Sequence, residues 1–218
     1  MKNTLLAFSF AFIAAFSAQA QDSSTSEFKP VAGDKTVEVG SSLFFGNNYY
    51  YSSGITLQFR KFTSDTHAFR IGVGGYIDHN DDGNGTTSTL GIFTISPGFE
   101  RHFASTSRLS PFIGAELPLS VAYSSYEDNN QIIKGGGNNG HNRAFKGVGL
   151  VAVAGVDFYV VKNFYVGLEF GAGLTYKHYA DVKIDYKEPG IDNQTIEGGR
   201  NISFSTISNS GLRIGFVF

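Results

Sequence analysis

The chain contains no cysteine. That absence excludes a disulfide framework and leaves no thiol for lipid attachment. Charge is scarce too: 17% of residues are charged and the formal net charge is −2, so nothing marks a nucleic-acid partner. After residue 20 no stretch is long and apolar enough for a membrane-spanning helix. What the chain does have is glycine and aromatics, with 27 Gly, 21 Phe and 11 Tyr. Glycine at that level without a repeat period suits closely approaching strands and long loops better than helices.

The last ten residues carry the clearest local signal. Leu212, Ile214, Phe216 and Phe218 share one parity; Gly211, Arg213, Gly215 and Val217 share the other. Period two is the signature of a strand with two unlike faces. In water an apolar strand edge of this kind invites aggregation, whereas a strand that closes a barrel in lipid does not. At the other end, Lys2, the apolar run 5–16 and the Ala18-Gln19-Ala20 site predict a secretory signal peptide over 1–20. A mature chain of about 200 residues is a plausible single domain. Residues 21–33 are polar and predict a flexible periplasmic lead-in, and 34–218 form the domain proper.

Eight strands are predicted within it, over 36–45, 55–62, 68–77, 90–103, 111–123, 145–160, 163–176 and 202–218. Their connections alternate in length. Short turns fall near 64–65, 105–107 and 161–163, and longer segments cover 46–54, 78–88, 124–144 and 177–201. Short turns on one rim and long loops on the other describe an outer-membrane barrel, and an even strand number puts both ends on the periplasmic side. A soluble eight-stranded barrel is the structural rival. In that case the non-apolar face would meet water and be rich in Lys and Glu. Here it holds Gly72, Gly74, Gly147, Gly149, Gly155, Gly167, Gly171, Gly173 and Gly215, which suit a crowded interior. Aromatics such as Tyr123, Tyr176, Phe103 and Phe164 gather near strand ends, as interfacial girdles do. With no Trp, the chain also lacks the Gly-x-Trp feature of soluble lipocalins.

On these grounds 34–218 resembles the small eight-stranded outer-membrane barrels: the OmpA transmembrane domain, OmpX, OmpW and the outer membrane protein beta-barrel domain proteins of Bacteroidetes-type bacteria. The resemblance is one of architecture. It implies an all-β, closed, antiparallel eight-stranded transmembrane barrel in the cell outer membrane, with short periplasmic turns and long extracellular loops. Phe216 and Phe218 resemble the assembly signal that such barrels present to the insertion machinery. One departure is Arg213, which stands where that signal often has Gly. No periplasmic peptidoglycan-binding domain of the full-length OmpA kind is expected.

The inward parity carries Glu38, Arg60, Arg70, Glu100, Glu116, Asp157, Glu169 and Arg213. An eight-stranded barrel is just wide enough to be filled by side chains, and buried charges must pair. A salt-bridge network that plugs the lumen is therefore predicted, with a narrow path for ions or water as the alternative. For a lipid-A-modifying enzyme, a nucleophile must lie beside a His and an acid near the outer leaflet. His67 and His102 fall on the turn side. His79, His141 and His178 fall on the loop side, where His178 has Tyr176 and Asp181 near it but no Ser. Asp78, Asn80 and Asp82, followed by Gly83, resemble the start of a calcium loop, but position twelve is Thr89 rather than a bidentate Glu. That segment reads as a solvated hairpin tip, with a weak surface calcium site as the alternative. Lys134, His141, Arg143 and Lys146 give one long loop a basic character suited to lipopolysaccharide phosphates.

The expectation from sequence is thus a nonenzymatic outer-membrane protein without cofactors. Its role would be in envelope integrity or surface interaction, with outer-membrane lipid, lipopolysaccharide and the insertion machinery as partners, as a monomer. A narrow channel or carrier for ions or small apolar solutes is the first alternative, and a lipid-A-modifying enzyme the second.

Overall fold

A computed structural model describes residues 27–41, 56–137, 142–206 and 211–218. Its strands run antiparallel and close on themselves. In chain order they are β1 (Lys35–Ser41), β2 (Thr56–Ser64), β3 (His67–Asp81), β4 (Thr87–His102), β5 (Leu109–Glu116), β6 (Leu119–Glu127), β7 (Gln131–Lys134), β8 (Phe145–Val161), β9 (Phe164–Tyr179), β10 (Val182–Tyr186), β11 (Gln194–Ile196), β12 (Arg200–Thr206) and β13 (Gly211–Val217).

Eight staves make the ring. Strands β5 and β6 form one of them. Both lie between β4 and β8, and they are separated only at Leu117 and Pro118, where proline has no N–H for the ladder. Strands β12 and β13 likewise form one stave along β9. The ring closes where Val37 of β1 faces Phe216 of β13, and where β8 and β9 pair from Phe145–Tyr179 down to Val161–Phe164.

The two faces separate by parity. Phe59, Phe69, Phe93, Phe99, Leu150, Leu174, Phe204 and Phe216 all point outward and are exposed, as a lipid-facing band requires. The expected outward positions 43, 45 and 55 lie outside the described residues. Inward-facing glycines make room for large neighbours. At Gly215 a Cβ would overlap the ring of Tyr165, its register partner on β9. At Gly155 it would come within 2.5 Å of the Phe112 ring.

Three features differ from the sequence expectation. The connection predicted over 78–88 shrinks to 82–86, because β3 and β4 stay paired up to Asp81–Thr87. The connections at 124–144 and 177–201 are largely sheet. β6 pairs with β7, β7 with β10 and β10 with β11, so one side of the wall continues past the rim. Above that rim the polarity inverts. Ile133 and Val182 are buried on the inner side, while Lys134 and Lys183 are exposed on the outer side. Apolar residues there shelter from water rather than meet lipid, so the band ends below them.

The third difference is the lead-in. Residues 21–26 lie outside the described residues, but 27–33 are tied to the turn end rather than free of it. The Gly33 N–H donates to the Phe62 carbonyl at 2.9 Å, and the Ala32 N–H donates to Asp65 at 2.9 Å. Phe28 packs against Tyr159, Tyr165 and Val217 and lies 3.9 Å under the Arg108 guanidinium. Buried apolar and cation–π contacts hold a segment whose polar composition gave no hint of them.

Candidate functional site: the charged lumen

The eight charged residues expected to face inward meet in the turn-side half of the barrel, where each stave supplies one: Glu38 from β1, Arg60 from β2, Arg70 from β3, Glu100 from β4, Glu116 from β5, Asp157 from β8, Glu169 from β9 and Arg213 from β13. Each is at most 4% exposed. Their spacing follows from strand parity, since alternate side chains face the axis and the register places them at neighbouring heights.

Arg60 is the hub. Its Nη1 donates to Glu100 at 2.9 Å and to Asp157 at 2.8 Å, its Nη2 to Glu38 at 3.3 Å, and its Nε to the Thr36 hydroxyl at 3.2 Å. Arg70 grips Glu169 in a two-pronged pair at 2.9 and 3.0 Å, donates to Glu100 at 2.6 Å, and has its Nε 2.7 Å from Glu116. Arg213 donates to Glu38 at 2.9 Å and to Asp157 at 2.7 Å, and lies 3.3 Å from Glu169. Planar guanidinium forks suit such shared carboxylates better than an ammonium would. Three guanidiniums thus face five carboxylates, and every carboxylate has at least one cationic partner.

The structure adds members that sequence reasoning missed. The Tyr165 hydroxyl donates to Glu38 at 2.7 Å, and its ring lies 5.0 Å from the Arg60 guanidinium. His102, at the end of β4, lies 3.0 Å from Glu100 through Nε2 and 2.9 Å from the Ser110 hydroxyl through Nδ1. Its inward parity with Glu100 was visible in the sequence; Ser110 was hidden because it lies across a turn. The Ser–His–Glu arrangement resembles a hydrolytic triad, but its surroundings do not. Ser110 is 4% exposed, His102 is flanked by Phe62 and Phe112, and Glu100 is held by two arginines. It lies at the turn end, away from the outer leaflet where a lipid-A-modifying site belongs.

The other candidates are placed differently. Asp78 and Asn80 belong to β3 and face inward at the top, while Asp82 is in the hairpin tip. They are spread along a strand at about 3.3 Å per residue rather than gathered around a point. Asp82 caps its own turn. The N–H groups of Asn84 at 2.8 Å and Thr86 at 3.0 Å donate to its carboxylate and hold its pKa below the usual range. Thr89 bonds His79 instead, and no cluster of metal-ligating side chains occurs among the described residues. Of the basic loop residues, His141 lies outside the described residues. Lys134 pairs with Asp185 at 3.3 Å, and Arg143 donates to the carbonyls of Ala180 and Glu197. Phe216 and Phe218 point outward, with Phe216 against Phe164 at 5.3 Å.

Residues 86–218 match the family described as "Putative OmpA-OmpF-like porin family". No curated protein sequence matches the chain. Among solved structures it is similar to the attachment invasion locus protein Ail of Yersinia pestis, at 13% identity and a TM-score of 0.45, covering 86% of this chain and 100% of that one. It is also similar to the N-terminal barrel of Pseudomonas aeruginosa OprF, at 16% identity and a TM-score of 0.40, covering 87% and 100%. A third is OprG of the same organism, at 11% and 0.43, covering 87% and 98%. The chain belongs to the OmpA-OmpF-like porin family and is an outer-membrane β-barrel protein.

Proposed function

We propose that this protein is a non-conducting, nonenzymatic barrel that anchors and presents its outer surface, with a role in envelope integrity or surface interaction. One observation carries the reading: eight ionic side chains, one per stave, fill the turn-side lumen and leave at most 5% of any of these side chains exposed. An ion would have to displace hydrogen-bonded charges on all sides to pass, and Phe28 packs beneath them at the turn end. The sheet of β6, β7, β10 and β11 raises a hydrogen-bonded wall above the membrane as the contact surface. The described staves close into one ring, which supports a monomer.

The channel reading draws on Gly72, Thr94, Ser96 and Ser120, small inward-facing residues on the loop side of the charges, but the ion-pair network lies across the path beneath them. Planar-bilayer recording separates the two. Purified, refolded protein is expected to give no discrete conductance steps in molar potassium chloride. Reproducible, ion-selective steps would contradict the proposal.

A further inference from the structure

Two cations and a histidine sit side by side on the outer wall. Lys146 of β8 faces His178 of β9, and His178 faces Arg200 of β12. All three are exposed and share the outward parity of the apolar band. One step below them runs the row Val148–Tyr176–Ile202, and below that Leu150–Leu174–Phe204. Ile202 is 73% exposed and Phe204 65%, so these rows belong to the lipid-facing surface. Lys146, His178 and Arg200 therefore stand at the upper border of that band, in the headgroup layer.

Lys146 and Arg200 carry like charge in one row, with the His178 imidazole between them as a further nitrogen donor. None of the three has an ion-pair or hydrogen-bond partner among the described residues, whereas three other basic residues on this wall have one. Lys134 has Asp185, Lys187 has Glu127, and Arg143 caps the carbonyls of Ala180 and Glu197 just beyond the row. Adjacent strands lie about 4.8 Å apart, so one phosphate can be reached from all three. An anion from outside the chain would pair with both cations at once, and the apolar rows beneath dictate what that anion is attached to.

We propose that the outer wall at β8, β9 and β12 is a binding site for a phosphorylated, multiply acylated lipid of the outer leaflet. Lys146, His178 and Arg200 hold its headgroup phosphate. Val148, Tyr176, Ile202, Leu150, Leu174 and Phe204 receive its acyl chains. Arginine and lysine supply charge-assisted hydrogen bonds to phosphate, and the aliphatic rows supply the contact that a soluble anion cannot use. This site goes beyond the anchoring role proposed above and does not depend on whether the lumen conducts.

The test uses the refolded full chain in phosphatidylcholine nanodiscs, titrated with bis-phosphorylated lipid A and followed by native mass spectrometry. One tightly held lipid A per barrel is expected. Dephosphorylated lipid A with the same acyl chains, and the variant Lys146→Gln/His178→Gln/Arg200→Gln, are each expected to weaken retention about tenfold or more. The three side chains are exposed, so the variant should keep its heat-dependent gel mobility; Arg200→Glu is a second variant expected to act in the same direction. Equal retention of dephosphorylated lipid A, or unchanged retention by both variants, would overturn the site. Equally strong occupancy by inorganic phosphate alone would also overturn it, because the acyl rows would then contribute nothing.

Discussion

Replacing Arg60 by methionine is expected to destabilise the barrel by about 3–5 kcal/mol, the usual cost of removing one partner from a buried ion-pair network. The guanidinium is fully buried and contacts Glu38, Glu100 and Asp157 together. Methionine fills much of the space but leaves those carboxylates with less compensation in a centre where acids already outnumber arginines. Arg213 still serves Glu38 and Asp157, and Arg70 still serves Glu100, so the charges are not wholly orphaned. Urea unfolding in lipid vesicles, read by gel mobility, measures the loss. Adding Glu100→Gln and Asp157→Asn to the Arg60→Met chain should recover part of it, because the network acts as a unit. A loss below about 1 kcal/mol would mean that water, rather than protein, solvates these groups.

The second large effect is steric. Gly215→Val is expected to destabilise the barrel by on the order of 3 kcal/mol, through overpacking and loss of a charge-assisted hydrogen bond. The nearest atoms to a new Cβ at that position all belong to the Tyr165 side chain. Moving that ring would break the hydroxyl contact to Glu38 and shift the ring away from Arg60. Because the obstacle is a side chain and not backbone, the clash is separable. On a Tyr165→Ala background the same Gly215→Val change should cost at least about 1 kcal/mol less. The same urea midpoints give the coupling, and additive effects would show that the ring does not occupy that space.

These two residues also illustrate what was legible in the sequence. Glycine and charge on one parity with Phe and Leu on the other disclosed which face turns inward, and the alternation of short and long connections disclosed the ring. Arg60 and its seven ionic companions could be named from parity alone, because period two leaves a side chain only two directions. Which arginine meets which carboxylate depends on register across the barrel, and no local pattern encodes it. The wall above the rim was missed for a different reason. Ile133, Val182 and Ile184 turn inward there while Lys134 and Lys183 turn outward, so the polarity rule that identifies lipid-facing strands reverses and short strands resemble loops. The docking of 27–33 was missed because it rests on one aromatic, Phe28, and on backbone hydrogen bonds that composition does not reveal.

The whole account rests on which face meets hydrocarbon, and the absence of tryptophan makes that directly measurable. Phe93 and Thr94 are neighbours on β4: Phe93 points outward and is 50% exposed, and Thr94 points inward, with its hydroxyl 2.9 Å from that of Ser120. Single-tryptophan variants Phe93→Trp and Thr94→Trp, refolded into vesicles with brominated acyl chains, should behave oppositely. Strong quenching of the first and little of the second is the predicted result; equal quenching, or the reverse order, would contradict it.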